Sequence, residues 1–268
     1  MKLFDAHNHL QDERFAGRQA EFWQEAESAG VVAMVVNGSS EDDWNDVATL
    51  SRKIPGVIAS YGLHPWYVPA RSPGWLETLR RHIRENPDAA VGEIGLDRWK
   101  PDLPYDDQED VFLTQWNLAR EFNRPASIHC LKAWGRLLEL LREHPAPARG
   151  FVLHSYGGPK EMINDFAALG AYFSFPGYYL HERKVKQRET FRHVPTDRLL
   201  IETDAPDQSL PDNLNRFPLL DAQGHPINHP ANLAAVYEGL ATSLEKPVEE
   251  LARHVEENFR RLFFTTRL

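Results

Sequence analysis

The chain has 268 residues, of which 42% are hydrophobic and 26% are charged, a composition typical of a globular protein. Its mean hydropathy is -0.51 and no apolar run reaches roughly 18 to 20 residues, which excludes a membrane-spanning helix. Acidic residues outnumber basic ones by 39 to 30, and the net charge of -9 opposes non-specific binding to duplex nucleic acid or to an anionic membrane.

The N-terminal stretch and the cysteine content indicate the cellular compartment. The stretch from Met1 to His7 reaches acidic and histidine side chains without the apolar segment of a secretory signal. The single cysteine, Cys130, cannot form an intrachain disulfide and is expected to be a small buried residue, which fits a reducing compartment. We therefore expect a cytoplasmic protein that does not associate with membranes. The sequence carries no prediction of the oligomeric state.

Short β-type runs alternate with longer segments of helical periodicity along the chain. Eight runs are predicted as strands: Leu3–His9, Val31–Gly38, Val57–Leu63, Ala90–Leu96, Pro125–Cys130, Gly150–His154, Ala171–Phe175 and Leu199–Asp204. The helices between them are predicted at Arg18–Ala29, Asp42–Lys53, Pro73–Asn86, Asp107–Phe122, Leu131–Glu143, Lys160–Leu169 and Glu182–Val194. This alternation indicates a parallel sheet, since parallel neighbours need a crossover connection.

The number of strand–helix units favours a closed (β/α)8 barrel, the TIM barrel, formed by residues 1–268 as a single domain. Eight units in about 250 residues match a barrel better than a doubly wound sheet, and the chain has neither a GxGxxG motif nor a P-loop. Gly30 is expected to end the first helix in the left-handed conformation. The segment Ala205–Pro230 is expected to form a long loop at the barrel mouth, and Ala231–Leu262 to form terminal helices.

Histidines and acids recur at the predicted strand ends. The residues concerned are His7 and His9 on strand 1, His64 after strand 3, Glu93 and Asp97 on strand 4, His129 on strand 5, His154 on strand 6 and Asp204 on strand 8. In a (β/α)8 barrel the C-terminal strand ends meet at one mouth, so these residues are expected to lie together despite their separation in the chain.

Such a cluster predicts a metal site at the C-terminal mouth. His7 and His9 are two residues apart, which on a strand directs both imidazoles to the same face. Four imidazoles and two carboxylates are more ligands than one tetrahedral ion needs, so we expect two divalent ions. A carboxylate such as that of Glu93 can bridge both. Imidazole ligands favour zinc, manganese or nickel, while the carboxylates also admit magnesium.

Six short motifs, in chain order, resemble the signatures of TatD-family metal-dependent hydrolases, which belong to the amidohydrolase-like barrels. They are Phe-Asp-Ala-His-Asn-His from residue 4, Gly-Leu-His-Pro from 62, Val-Gly-Glu-Ile-Gly-Leu-Asp from 91, Ile-His from 128, His-Ser-Tyr-Gly-Gly from 154 and Leu-Ile-Glu-Thr-Asp-Ala-Pro from 200. The resemblance extends to the closing Asn-Phe-Arg-Arg-Leu-Phe from 258 and so covers nearly the whole chain.

The resemblance implies a two-metal barrel that hydrolyses phosphodiesters in nucleic acid. It implies His7, His9, Glu93 and Asp204 as ligands of one ion, and Glu93, His129 and His154 as ligands of the other, with Glu93 as the bridge. It also implies Asp204 as the group that takes a proton from the attacking water. This chain departs from many relatives at two points: Cys130-Leu131 stands in place of Ser-Arg, and Asn228-His229-Pro230 stands in place of Asn-Glu-Pro. Both departures are expected where the barrel mouth meets substrate.

Several other residues have two open interpretations. The basic residues Arg183, Lys184, Lys186, Arg188 and Arg192 would bind phosphate after strand 7, or form a solvated helix face. The aromatic residues Trp66, Tyr67, Tyr178 and Tyr179 would stack on unpaired bases, or pack the loops.

The remaining polar residues near the strand ends are also left open. His64 lies too far past its strand to be assigned as a metal ligand and is a candidate catalytic residue that would orient the leaving group or the phosphate. Asp97 would fix a ligand imidazole, or cap helix 4. Five other histidines are predicted to lie at the protein surface: His181, His193, His225, His229 and His254.

The leading hypothesis is a TatD-like deoxyribonuclease that cleaves phosphodiester bonds with metal-activated water. Its substrate would be nucleic acid, as single strands or frayed DNA ends, or a small phosphoester. A hydrolase of a small-molecule ester, amide or lactone is the alternative, because the same metal pair would polarise a carbonyl. A metal-binding adaptor without catalysis is the third possibility, and the intact Asp204 argues against it.

Overall fold

The computed structural model describes residues 1–264, so the last four residues of the predicted domain, 265–268, lie outside the described range. Eight strands form the main sheet: β1 Leu3–Asn8, β2 Val31–Asn37, β3 Val57–Tyr61, β4 Ala90–Asp97, β5 Ala126–Leu131, β6 Phe151–Leu153, β7 Ala171–Pro176 and β8 Leu199–Glu202. The helices are α1 Gln19–Ser28, α2 Trp44–Lys53, α3 Trp75–Glu85, α4 Tyr105–Glu121, α5 Trp134–Glu143, α6 Ile163–Ala168, α7 Val185–Phe191, α8 Leu233–Leu244 and α9 Val248–Phe263.

The eight strands are parallel and lie in chain order from β1 to β8, which confirms the predicted (β/α)8 barrel. The seam between β8 and β1 is joined mainly by polar contacts. The Asp5 carboxylate accepts hydrogen bonds from the backbone N–H and the hydroxyl of Thr203, at 3.0 and 2.5 Å. Just beyond the strands, the Asp204 N–H donates to the His7 carbonyl at 3.0 Å. The barrel is therefore closed next to the predicted site.

The strands are covered on both faces, as their apolar sequences predict. All eight residues of β4 and all six of β7 are buried, because side chains pointing inward fill the barrel and those pointing outward meet the helices. Within β2, Val32 departs from this pattern and is 40% exposed. No helix within residues 1–264 is long and apolar enough to cross a membrane.

Gly30 ends the first helix as predicted. Its φ of +101° lies in the region that side chains disfavour, and its N–H donates to the Glu27 carbonyl at 2.9 Å. A Cβ at this position would lie 3.0 Å from the Met1 carbonyl oxygen, so glycine also permits the close approach of the N-terminus.

Many predicted boundaries differ by a few residues, and three differences change the description of the fold. Leu131 is the last residue of β5 rather than the first of a helix, because the strand runs on beside Asp97 of β4. Helix α7 is shorter than predicted and is preceded by short 3-10 turns. The long loop after β8 contains an antiparallel hairpin, β9 Leu219–Leu220 and β10 Pro226–Ile227, which the periodicity of so short a segment cannot reveal.

Candidate metal centre

The barrel mouth brings together all six residues predicted as metal ligands around one buried carboxylate. Glu93, in the middle of β4, is that central group. Its Oε2 lies 3.4 Å from Nε2 of His7 and 3.3 Å from Nε2 of His9. Its Oε1 lies 3.1 Å from Nδ1 of His129 and 2.8 Å from Nε2 of His154. The two oxygens thus face two different pairs of imidazoles.

The surrounding imidazoles favour the charged form of Glu93. Burial raises the pKa of Glu93, but the positive potential of His154, His64 and His7 outweighs this and holds it well below its usual range. A buried ionised carboxylate with imidazole nitrogens beside both of its oxygens is the kind of donor set that a divalent cation binds.

A glycine lets β4 approach β5 next to this group. Gly95 pairs with His129 in the sheet register, and a Cβ on it would lie 1.9 Å from the His129 carbonyl oxygen. Any side chain at position 95 would therefore push the two strands apart and separate Glu93 from His129.

The two histidines of the first motif direct their Nε2 atoms to the same point. Nδ1 of His9 lies 2.8 Å from the Asn37 carbonyl oxygen, and this contact requires an N–H at Nδ1. Nδ1 of His7 lies 2.9 Å from Oγ of Ser127, and the two Nε2 atoms are 3.3 Å apart. With a proton at Nδ1 of each ring, both Nε2 atoms would offer lone pairs to a cation placed between them and Glu93.

These two imidazoles have opposite pKa shifts. Burial lowers the pKa of His7 to about 4, so this ring is neutral. Burial also opposes the charged form of His9, but Glu93 and Asp204 outweigh it and raise its pKa to about 9.

A hydrogen bond to Asp97 orients His129, while His154 lies near the carboxylate of Glu202 beyond hydrogen-bond distance. Nε2 of His129 lies 3.0 Å from Oδ2 of Asp97, and Nδ1 of His154 lies 3.7 Å from Oε1 of Glu202. Burial raises the pKa of Asp97, but hydrogen bonds from His129 and Trp66 lower it to about 2. Of the two roles predicted for Asp97, the structure shows the contact with an imidazole, since α4 begins several residues later.

Glu202 is a buried acid that the sequence predictions did not assign. Its carboxylate accepts from the N–H of Ser155 at 2.7 Å and from the Ser155 hydroxyl at 2.5 Å, and it also contacts the Ser174 hydroxyl. A charged residue directly after the apolar run from Leu199 to Ile201, still within the predicted strand, is the signal that could have identified it.

The two oxygens of the Asp204 carboxylate have different surroundings. Oδ2 accepts a hydrogen bond from Nε2 of Gln208 at 2.5 Å. Oδ1 is buried without a hydrogen-bond partner among the described residues and lies 3.6 Å from Nε2 of both His7 and His9. Burial and the nearby Glu202 and Glu93 raise the pKa of Asp204 to about 7.

His64 reaches the cluster, closer than its position after β3 suggested. Its Nε2 lies 3.5 Å from Oε1 of Glu93, and its ring contacts that of His129. Its Nδ1 accepts a hydrogen bond from the Trp66 N–H at 3.2 Å, so the neutral ring carries its proton on Nε2. His64 therefore presents an N–H to the mouth.

Three groups of donor atoms are close enough to hold a cation within the described chain: His7 with His9 and Asp204, His7 with Glu93 and His154, and His64 with Glu93 and His129. The first two groups consist of imidazole nitrogens and carboxylate oxygens that a cation could coordinate once the rings are deprotonated. The third includes the N–H of His64, which does not coordinate a metal. The residues thus fit a metal centre, and the unpartnered Oδ1 of Asp204 is a further donor that a cation would satisfy.

A cavity of about 1100 Å³ opens over this cluster. Five acidic side chains of its lining follow β1 and β2, on the loops and in the first turn of α2, where the sequence had indicated no role: Asp12, Glu13, Asp42, Asp43 and Asp46. The lining also includes Asp207 after β8, and Arg14 after β1 forms ion pairs with Asp12 and Asp207. Trp66, Trp99, Tyr178 and Lys184 contribute aromatic rings and a cation on the loops after β3, β4 and β7. Strands four apart lie on opposite sides of an eight-stranded barrel, so the β3 and β7 loops face each other across the centre.

The predicted basic and aromatic residues divide into two groups. Lys184, Tyr67 and Tyr178 line the cavity with Trp66. Arg188 donates to the carbonyls of Tyr179 and His181, and Arg192 forms an ion pair with Glu245, so these two arginines have structural partners. The Tyr179 ring is buried and its hydroxyl donates to the Ser155 carbonyl at 2.6 Å, which is loop packing.

Two predictions about His229 are wrong. It is 2% exposed rather than a surface residue, and it is absent from the cavity lining found within residues 1–264. Its Nε2 lies 2.8 Å from Oε2 of Glu25 on α1, and its ring contacts those of Phe22 and Phe217. Cys130, by contrast, does line the cavity and is buried as predicted, and burial raises the pKa of its thiol.

The other predicted surface histidines differ in exposure. His193 and His225 are exposed, while His181 and His254 are half-buried. His181 and His254 are therefore only partly at the surface.

A closed (β/α)8 barrel with imidazoles and carboxylates gathered at its C-terminal mouth defines the class of metal-dependent barrel hydrolases. The family model described as TatD related DNase matches residues 4–264, and the chain belongs to this family. It is 30% identical to the uncharacterized metal-dependent hydrolase YjjV of Escherichia coli K12, over 98% of both chains. The crystal structure of that TatD homologue superimposes with a TM-score of 0.89 over 98% of both chains.

A second relative carries a more specific name. The 3'-5' ssDNA/RNA exonuclease TatD of Pantoea vagans is 31% identical over 97% of this chain and 99% of its own. The crystal structure of a TatD-family hydrolase from Entamoeba histolytica has a TM-score of 0.87 at 20% identity, which supports the fold.

Proposed function

We propose that this metal-dependent hydrolase cleaves phosphodiester bonds in nucleic acid that is single-stranded or that has frayed DNA ends. The observation that carries the proposal is the buried Glu93 carboxylate, whose two oxygens face the His7–His9 pair and the His129–His154 pair separately. The name of the Pantoea vagans relative supports the same substrate class.

The proposed metal ligands are the imidazoles and carboxylates that lie around Glu93. His7, His9, Glu93 and Asp204 would hold one divalent ion, and Glu93, His129 and His154 would hold the other. Bound there, the ions would lower the pKa of a coordinated water from about 15.7 towards 7 and stabilise negative charge on phosphoryl oxygens. Zinc, manganese and nickel suit the imidazoles, and magnesium is admitted by the carboxylates.

Two side chains would then manage protons. Oδ1 of Asp204, which faces His7 and His9, would bind the ion, and the second oxygen, Oδ2, would accept the proton of the attacking water. The N–H at Nε2 of His64 would donate a hydrogen bond to the phosphate or the leaving group.

A small ester, amide or lactone is the second candidate substrate class. The acidic loops after β1 and β2 favour it, since Glu13, Asp42 and Asp46 are exposed on the cavity wall and would repel a phosphate chain on that side. A polynucleotide would have to approach from the β3 and β7 sides. The cytoplasmic location stays a prediction.

A substrate panel on protein of known metal content tests the proposal. Purified protein would be analysed for metal and then given labelled single-stranded DNA, single-stranded RNA, duplex DNA, a small chromogenic phosphodiester and a set of carboxylic esters, amides and lactones. We expect the single strands to be cleaved with the highest kcat/KM.

Each other outcome has its own reading. Preferential turnover of an ester, amide or lactone would favour the second candidate. No turnover with metals bound would support an adaptor and contradict both. His193→Gln is the control for the substrate panel and should show the same preference as the parent, because His193 is exposed and lies outside the cavity lining.

A further inference from the structure

Two tryptophans from neighbouring loops stack at the edge of the cavity. Trp66 follows β3 and Trp99 follows β4, and their ring centroids are 6.3 Å apart with 30° between the planes. Lys100 Nζ lies 3.7 Å from the centroid of the Trp66 ring. We call Trp66, Trp99 and Lys100 the tryptophan ledge. The Trp99 side chain is 54% exposed, which is unusual for so large an apolar group and leaves it free to contact a ligand.

A single carboxylate joins this ledge to the metal-ligand cluster. Oδ1 of Asp97 accepts from the N–H of Trp99 at 2.6 Å and from the N–H of Lys100 at 3.3 Å. Oδ2 accepts from Nε1 of Trp66 at 2.6 Å and lies 3.0 Å from Nε2 of His129. The ledge is therefore held in a set position relative to the centre, so a ligand resting on it would be aligned with the reacting groups.

The charges around the cavity limit what the ligand can be. The exposed acids of the lining follow β1, β2 and β8, whereas Lys100, which lies over the Trp66 ring outside the lining, adds a cation on the β3–β4 side. A polyanion whose flat, uncharged groups can stack on indole would favour this side and avoid the other. An unpaired nucleotide has both properties. A base inside a duplex cannot offer its face.

We propose that the tryptophan ledge is a nucleobase-stacking subsite, which holds the base of a nucleotide beside the phosphate at the centre. This inference rests on the proposed function for its substrate class. It assigns Trp99 as a specificity-determining residue that favours single strands over duplexes, through stacking rather than through base-edge hydrogen bonds.

Binding measurements test the ledge without requiring turnover. Metal-loaded protein would be titrated with a phosphorothioate-linked single strand of thymidines, which slows cleavage, and with an abasic strand of equal length and charge. The variants are Trp99→Ala, Trp99→Phe, which keeps a stacking ring, and Leu220→Ala. Leu220 is a matched control, because it is 60% exposed on β9 and lies outside the cavity lining.

We expect the parent to bind the thymidine strand about tenfold more tightly than the abasic strand. Trp99→Ala should lose this difference, Trp99→Phe should keep most of it, and Leu220→Ala should match the parent. Equal affinity of the parent for both strands would overturn the subsite. So would a Trp99→Phe variant that binds as weakly as Trp99→Ala.

Kinetics separate this inference from the proposed function. Trp99→Ala should raise KM for a single-stranded oligonucleotide about tenfold while leaving kcat, and the turnover of a small phosphodiester, unchanged. If the parent cleaves oligonucleotides and Trp99→Ala does so with the same KM, the subsite is wrong and the function stands. If the parent cleaves no phosphodiester, the function fails, and the binding titration still decides the subsite.

Discussion

Asp204 has two carboxylate oxygens with separate environments, and the proposed mechanism depends on that separation. Oδ2 is held by Gln208 at 2.5 Å, while the partner-free Oδ1 faces His7 and His9. Oδ1 is placed to bind an ion beside His7 and His9, which leaves Oδ2 as the oxygen that would accept the proton. The backbone of Asp204 has a positive φ of 52°, which turns the side chain away from the strand direction at the end of β8.

Asp204→Asn should preserve the fold and reduce kcat by about 10² to 10⁴, the usual range for loss of a general base. An amide oxygen still coordinates weakly, so part of the metal should remain. Metal content, melting temperature and kcat would be measured on one preparation. Nearly normal kcat in metal-loaded Asp204→Asn protein would show that Asp204 does not manage the proton.

Gln208→Leu tests whether the orientation of that carboxylate matters. The Gln208 amide donates to both Asp204 and the Ser155 hydroxyl, each at 2.5 Å, so its loss should let Asp204 rotate. We expect kcat to fall about tenfold with little change in KM, because small misplacements of reacting groups are costly. Gln223→Leu, exposed on the β9–β10 hairpin, is the control. A kcat equal to that of the control would leave Gln208 with no positioning role.

Sequence position was sufficient to predict which side chains meet at the mouth, because strand ends converge in a closed barrel. It was not sufficient for Glu202, whose partners Ser155 and Ser174 belong to other strands and are defined only by packing. The same holds for His229, where a polar residue in a loop was predicted at the surface but is covered by aromatic rings.

At the scale of elements, the loops that follow different strands contribute side chains of different charge to the cavity lining. The loops after β1 and β2 are acidic, and the turns before α7 contribute Lys184. Lys184 Nζ lies 4.7 Å from the Tyr178 ring centroid, a cation–π contact at the cavity edge. Helical periodicity predicted α7 but could not show which of its basic residues face the cavity, since short 3-10 turns change the direction of the chain before it.

Lys184→Ser should raise KM for an oligonucleotide several-fold more than for a small phosphodiester, because only the longer substrate extends to this rim. Lys186→Ser is the matched control: it removes the same charge from an exposed position just inside α7, outside the cavity lining. KM would be measured for both substrates at fixed ionic strength. Equal effects of the two substitutions would mean that the basic residues form a solvated helix face and do not bind phosphate.

The loop after β8 is attached to α1 through His229. Its ring lies between Phe22 and Phe217, and its Nδ1 accepts from the Ala231 N–H at 2.9 Å. This contact joins the end of the hairpin to the first helix, on the outside of the barrel. Its contribution is thus to stability rather than to substrate binding.

His229→Ala should lower the free energy of unfolding at pH 7.5 by about 2 kcal/mol, as for other buried side chains. Burial lowers the pKa of folded His229, so the unfolded chain binds the proton more tightly and the parent loses stability as pH falls below about 6.5. The difference in free energy of unfolding between the parent and His229→Ala should therefore be smaller at about pH 5.5 than at pH 7.5.

Urea unfolding at both pH values measures this effect, with the exposed His193→Ala as control. A gap that widens on acidification would mean that Glu25, 2.8 Å away, dominates the titration of His229.

For the whole molecule, the net charge of -9 and the proposed nucleic-acid substrate are compatible because charge is distributed unevenly around the mouth. Composition alone counted the acids and could not locate them. The closed barrel places the β1 and β2 loops on one side and the β3–β4 and β7 loops on others, which leaves a path for a single strand. Fold class was therefore predictable from the alternation of elements, whereas the electrostatic shape of the mouth required the structure.

The central claim is that two divalent ions, bridged by Glu93, act together on a phosphodiester. Its most direct test is the titration of chelator-stripped protein with one metal, with cleavage of a single-stranded oligonucleotide measured after each addition. The account predicts that the rate rises until about two equivalents are bound, and that Glu93→Gln binds about one tightly and remains slow. Full activity at one equivalent, or a Glu93→Gln variant that binds two as tightly as the parent, would contradict it.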